Sequence, residues 1–164
     1  MNKMNKNSLP VFGVGPIYVF SCFLLTIIGL ALNYYGVLNQ GKIQSLKIVM
    51  LIMSFILITI GVVLWIYAVI IQKIGNEIKK GKLLTEGVYS IVRNPIYSAF
   101  SIIFTGILLM ANNIFLFILP VIFWVYLTIL LKYTEEKWLM EKFGDEYADY
   151  CKKVNRIIPY FTKK

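Results

Sequence analysis

Three long stretches of this chain carry no charge: residues 7–41, 48–72 and 94–131, of 35, 25 and 38 residues. About 20 apolar residues cross a bilayer as a helix. Backbone groups in lipid must bond within their own segment, so windows of this length predict membrane helices and not isolated strands. Of the 164 residues 59% are apolar and only 15% are charged, against about 25% charged in a soluble domain. The expected fold class is all-α, a polytopic membrane protein.

The third window is too long for one span. Asn112 and Asn113 mark a turn inside it, which divides it into a tight helical hairpin of two short arms. Pro120 lies in the second arm, where a lost backbone bond is expected to bend the helix. Four membrane segments result: 14–38, 47–72, 96–111 and 114–131. They define a single domain over 1–164, with a leader at 1–13, two spans in 14–72, a polar loop at 73–97, a hairpin at 98–131 and a polar tail at 132–164. The first apolar run is longer than the core of a secretory signal, so it is expected to stay as a span.

Lysine and arginine number two before the first span, two in the first loop, five in the second, none at the Asn112 turn and eight in the tail. With four crossings, fifteen fall on one face and two on the other, which predicts both termini in the cytoplasm, in the plasma membrane of a bacterium. All eight acidic residues follow Lys73 on that same face. The net charge of +9 therefore reads as topology and attraction to anionic lipid; interleaved acids argue against nucleic-acid binding. Cys22 and Cys151 make no disulfide framework and read as structural thiols. Oligomeric state leaves no signature.

There is no histidine, which removes the commonest general base and metal ligand. Two distant cysteines and a few carboxylates make a poor zinc site, so no metal is expected. Gly13 and Gly15 precede Pro16 and match no nucleotide-binding loop. The spans hold no Asp, Glu, Lys or Arg, whereas ion-coupled transporters need an ionisable group at membrane depth. Chemistry is left to two polar segments, 73–97 and 132–160.

In the first segment Asn94 and Pro95 have the form of a helix start, asparagine capping and proline in the first turn. The bland interpretation is that they merely begin the third span, with Arg93 at the headgroups. In the second, Leu139, Phe143, Tyr147, Tyr150 or Cys151, and Val154 recur at helical spacing, and Gly144-Asp145 suggests a break and a new N-cap. A tail lying on the membrane would satisfy Lys137, Lys142, Lys152 and Lys153. It suits Glu135 and Glu136 less well, because an acidic pair directly after a span is expected to face a cation. Only two of the seventeen basic residues are arginine, Arg93 and Arg156, one in each segment. Arginine's planar fork suits carboxylates and phosphates.

LLTEGVYSIVRNPIY, a hairpin, and then EEKWLMEKFGDEYADYCKKVNRIIP together resemble the isoprenylcysteine carboxyl methyltransferase and phospholipid methyltransferase superfamily. These are integral membrane enzymes that use S-adenosylmethionine. The family pattern runs G-x-Y-x-x-x-R-H-P-x-Y, then E-E-x-x-L-x-x-x-F-G-x-x-Y-x-x-Y, and ends near R-x-x-P. It is matched at Gly87, Tyr89, Arg93, Pro95, Tyr97, Glu135, Glu136, Leu139, Phe143, Gly144, Tyr147, Tyr150, Arg156 and Pro159. The resemblance implies a cofactor cradle of Lys82, Leu83, Leu84, Tyr89, Arg93, Asn94, Pro95, Ile96 and Tyr97, with Glu135 and Glu136 facing the reacting groups. Two positions depart from the pattern: Asn94 replaces the family histidine and cannot ionise near neutral pH, and Leu131 and Lys132 stand where some eukaryotic members carry an arginine.

The resemblance implies methyl transfer to a lipid-like acceptor at the bilayer. A carboxylate acceptor, pKa about 4, is ionised at neutral pH and needs no base, whereas an amine near pKa 10 would need one. A carboxylate is therefore the expected acceptor. Phospholipid N-methylation, and a non-catalytic lipid- or partner-binding protein with a decayed site at Asn94, stand as alternatives.

Overall fold

The computed structural model describes residues 13–71 and 82–158. Six α-helices occur among them: α1 Gly15–Tyr34, α2 Lys47–Ile66, α3 Pro95–Met110, α4 Ile118–Tyr133, α5 Glu135–Phe143 and α6 Asp145–Lys153. No strand is present among the described residues; Lys42 with Asn113 and Val92 with Asn155 form isolated bridges. The part of the polar loop at 73–81 and the final Pro159 lie outside the described residues.

Three helical stretches are long and apolar enough to cross a membrane: Gly15–Tyr34, Gln44–Ile70 and Ile114–Phe143; Pro95–Met110 is a shorter apolar helix. The polytopic helical architecture expected from the charge-free windows is therefore present, with three differences. The first span ends at Tyr34, before residue 38, because Gly36 adopts φ 81°. Val37 N–H then bonds Leu32 C=O and Gly36 N–H bonds Asn33 C=O, a glycine-terminated helix end. Pro120 falls near the start of the α-helical part of the second arm: it is the third residue of α4, directly after the 3-10 turn Ile114–Phe117, where its missing N–H has no α-helical partner to lose. The hairpin's second arm runs on past residue 131, because helix continues almost unbroken into α5.

α3 is the centre of the bundle, packed against α1, α2 and α4. Large apolar residues of α2 such as Ile48, Phe55 and Val63 face outward, as expected of a lipid-exposed helix. Its buried face is narrow: Met50 and then the small residues Ser54, Gly61 and, in the turn of π-helix that continues it (Tyr67–Ile71), Ala68. A Cβ on Gly61 would lie 2.9 Å from the Ala99 carbonyl, and one on Gly106 would lie 3.0 Å from the Ser54 carbonyl. Small residues seven apart on both helices thus let the two backbones touch, which is how helices associate where lipid supplies no hydrophobic drive. On the other side of α3, Tyr18, Cys22, Phe104, Leu108, Phe123, Leu127 and Leu131 form the main apolar core.

The Asn112 turn does more than reverse the chain. Asn112 sits at φ 50°, and its Nδ2 donates to the Ile43 carbonyl at 2.9 Å. Fully buried Asn113 donates to Asn33 Oδ1 at 2.8 Å and to the Leu38 carbonyl at 2.6 Å, and accepts from Phe115 N–H at 3.0 Å. The first loop is thereby tied to the hairpin. At the opposite end of the bundle the segments 82–94 and 134–158 meet the residues that begin α1.

Gly106→Leu is expected to destabilise the protein by about 1–3 kcal/mol through overpacking, because the added side chain must separate α2 from α3. Ile48→Leu on the outward face is expected to leave stability unchanged. Thermal unfolding of both variants in nanodiscs checks this.

Candidate active site

The segment 82–97 crosses the polar end of the bundle as a short strap. Gly87 at φ 61° turns it into a 3-10 helix, Gly87–Ser90, and Pro95 opens α3. Asn94 occupies the position before that helix but its side chain does not cap it. Its Nδ2 instead donates to the Arg156 carbonyl at 2.9 Å, which turns the side chain to the tail. The tail bonds the strap along its length. Arg93 N–H donates to Asn155 C=O at 2.8 Å, Ser98 Oγ to Ile157 C=O at 2.6 Å, and Tyr150 Oη to Tyr89 C=O at 2.5 Å.

Both arginines converge on one glutamate. Arg156 grips Glu136 with Nε to Oε1 at 2.6 Å and Nη2 to Oε2 at 2.8 Å, and Arg93 Nη2 reaches Oε1 at 3.0 Å. The side chains of Arg93 and Glu136 are only 8% and 15% exposed. Arg93 Nη1 also meets Tyr147 Oη at 3.2 Å and the Cys151 Sγ, and its guanidinium lies over the Tyr147 ring. The hydrogen bond to Glu136, ahead of all other influences, raises the affinity of Arg156 for its proton. Burial pushes the phenols of Tyr147 and Tyr150 above their usual range, so both stay neutral. The helical face read from the tail's spacing packs as expected: Leu139, Phe143, Tyr147, Tyr150, Cys151 and Val154 cluster together, with Leu83 against them.

The neighbouring Glu135 turns elsewhere. Its Oε1 accepts from Tyr97 Oη at 2.5 Å and from Val14 N–H at 2.7 Å, and no cation among the described residues pairs with it. Tyr97 stands edge-on to Tyr18 at 6.1 Å, and Tyr18 Oη bonds Ser101 Oγ at 2.7 Å. Tyr89 packs with Val88, Ala68, Leu84 and Ile96. Burial first, then the nearby Tyr150 and Glu135, holds its phenol well above the usual range. Its hydroxyl is buried without a hydrogen-bond partner among the described residues, as is Nε of Arg93. A buried donor without an acceptor is costly, and a ligand bringing acceptor atoms would satisfy either; Ser54 Oγ and Asn112 Oδ1 share that state elsewhere in the bundle.

Of the residues expected to hold a cofactor, Tyr89, Arg93, Asn94, Pro95, Ile96 and Tyr97 lie in the strap and the first turn of α3, close to Glu135 and Glu136. Leu84 shares the Tyr89 cluster, Leu83 packs on the tail, and Lys82 is exposed. The site also contains groups that no pattern in the sequence marked as functional. These are the turn at Gly13, Val14 and Gly15, the Arg156 carbonyl and Cys151.

Fold and site define an all-helical, polytopic, integral membrane protein in which two polar segments close over a cluster of tyrosines and a glutamate. A profile of the phospholipid methyltransferase family matches residues 47–146, and the chain belongs to that family. It is 36% identical over 80 residues, 48% of its length, to protein-S-isoprenylcysteine O-methyltransferase B of Arabidopsis thaliana, covering 40% of that protein. It is 32% identical over 87 residues, 53% of its length, to methanethiol S-methyltransferase 1 of Bradyrhizobium diazoefficiens, covering 30% of it. To the protein-S-isoprenylcysteine O-methyltransferase of Schizosaccharomyces pombe it is 36% identical over 78 residues, 47% of its length and 33% of that protein. The chain therefore spans less than half the length of these relatives.

Glu136→Gln is expected to destabilise the fold by about 3 kcal/mol, because it leaves the buried Arg93 guanidinium, and the partly exposed one of Arg156 beside it, without a counter-charge. Chemical unfolding in detergent checks this, with Lys152→Ala, which removes only the exposed pair to Asp149, expected to match the parent.

Proposed function

We propose that the protein transfers a methyl group from S-adenosylmethionine to a carboxylate on a lipid-like acceptor at the cytoplasmic face of the membrane. The single observation that carries this reading is the cluster of Tyr89, Tyr97 and Glu135, in which a buried hydroxyl lacks a partner and a carboxyl group lacks a counter-cation among the described residues. Such a cluster matches a ligand that is cationic at one point and offers acceptors elsewhere. The distribution of basic residues, fifteen against two, supports the cytoplasmic placement.

When bound, S-adenosylmethionine supplies a methyl group on a sulfonium cation, which the acceptor displaces in line. The chain's contribution is to align and to exclude water. The rings of Tyr89 and Tyr97 favour a cation through their π faces, and Glu135 supplies the opposing charge. Arg93 has most of its donors committed to Glu136, Tyr147 and Cys151, and Nε, without a partner among the described residues, is the donor left for a ligand carboxylate. Glu136 and Arg156 hold the strap against the tail. Lys82, Leu83 and Leu84 complete the cradle from the strap's entry, with Asn94, Pro95 and Ile96 at its exit. An acceptor carboxylate is ionised at neutral pH and asks for no base, which suits a chain without histidine.

A second reading, N-methylation of an aminophospholipid, is favoured by the same lack of a cation at Glu135, which could then accept an ammonium proton. Purified protein in nanodiscs is incubated with methyl-labelled S-adenosylmethionine and lipid extract. A base-labile labelled ester is the expected product, and a labelled amine headgroup would establish the second reading. Absence of both transfer and cofactor binding by calorimetry would make the protein a lipid or partner binder. Glu135→Gln is expected to lower kcat/KM about 10- to 100-fold, the loss of one charge-assisted contact. The variant should remain folded.

A further inference from the structure

The turn that precedes α1 reaches the cluster from the far end of the chain. Val14 N–H donates to Glu135 Oε1 at 2.7 Å across 121 residues of sequence. A Cβ on Gly13 would fall 1.9 Å from Glu135 Oε1 and 2.7 Å from its Cδ. Gly13 is also held at φ 48°, in the left-handed region that favours glycine, so its backbone conformation and its neighbour both exclude a side chain. A Cβ on Gly15 would come within 3.1 Å of the Tyr97 ring. The Val14 side chain is buried in the main core, which also contains Tyr18, Leu131 of α4 and Ile157, so the turn is held by burial as well as by its bond to Glu135.

We propose that this turn is the positioning element of the reaction. Val14 N–H, together with Tyr97 Oη, fixes Glu135 by its Oε1, while Gly13 leaves the space into which the carboxyl group is drawn. Both bonds fall on the same oxygen, so Oε2 carries no bond from any described residue and is the atom presented to the reacting cation. A glutamate on a helix start has several rotamers of similar energy, and a backbone donor from a different helix selects one. This rests on the methyl-transfer reading for its consequence but not for its geometry, and the two are separable by experiment.

Gly13→Ala is expected to lower kcat/KM for methyl transfer about 10- to 100-fold, the cost of a misplacement near 1 Å. In the Glu135→Asp background, where the shorter side chain has withdrawn from the added methyl, the same substitution is expected to cost less than about threefold. An equal cost in both backgrounds, or no cost in the parent, would overturn the proposal. Independently of activity, Glu135→Ala is expected to accelerate hydrogen exchange of the Val14 amide about tenfold or more in nitrogen-15-labelled protein. The Tyr18 amide, which bonds the Val14 carbonyl, should be unaffected. A Val14 amide unchanged by Glu135→Ala would remove the positioning bond. If the parent protein transfers no methyl group at all, the methyl-transfer reading fails and the exchange measurement alone decides whether the turn holds Glu135.

Discussion

One carboxylate, Glu136, accepts both arginines of the chain, and the polar end of the molecule is organised around that junction. Removing three charges from water is expensive, and their mutual attraction offsets the cost only with good geometry and further hydrogen bonds. Both conditions are met: Arg156 binds in a two-pronged fashion, and Arg93 spends further donors on Tyr147 and Cys151. The gain is specificity of arrangement. Arg93 belongs to the strap, Glu136 to α5 and Arg156 to the segment after α6, so one network fixes three pieces of chain that share no regular secondary structure.

α3 transmits this arrangement to the rest of the bundle. Asn94, just before it, and Ser98 in its first turn bond the tail, and the turn that ends it is bonded to the first loop through Asn112 and Asn113. Between those ends, Ala99 and Gly106 let α2 approach at backbone contact. A helix pinned at both ends and closely packed along one side is a rigid support for Tyr97, and a rigid support is what alignment-dependent chemistry demands.

The two adjacent glutamates illustrate how a helix divides labour. Consecutive residues project about 100° apart around a helix axis, so a pair at the start of α5 cannot face the same partner. Glu136 meets the arginines and closes the structure, while Glu135 meets Tyr97 and the amide of Val14. That separation leaves the second carboxyl group without a protein counter-cation among the described residues, inside a cluster whose Tyr89 hydroxyl is also unsatisfied. Among the described residues Ser54 Oγ and Asn112 Oδ1 are unsatisfied elsewhere in the bundle, so it is the coincidence of an unsatisfied hydroxyl with an unpaired carboxyl group that sets this cluster apart.

Charge-free windows, the asparagine turn and the spacing of Leu139, Phe143, Tyr147 and Tyr150 were enough to establish a helical membrane protein and the buried face of its tail. These features depend on burial of apolar surface and on local periodicity, and both are written along the chain. The pairing of strap and tail was legible only through their family resemblance. The seven-residue spacing of Ser54, Gly61 and Ala68 was present but silent, because small residues gain meaning only from the helix they face. The tertiary structure alone decided which glutamate each arginine would take, where the Asn94 side chain would turn, and that Gly13 and Val14 would meet Glu135. Hydrogen bonds and ion pairs between segments that lie from 20 to 121 residues apart depend on directions in space, and a linear order of residues does not carry them.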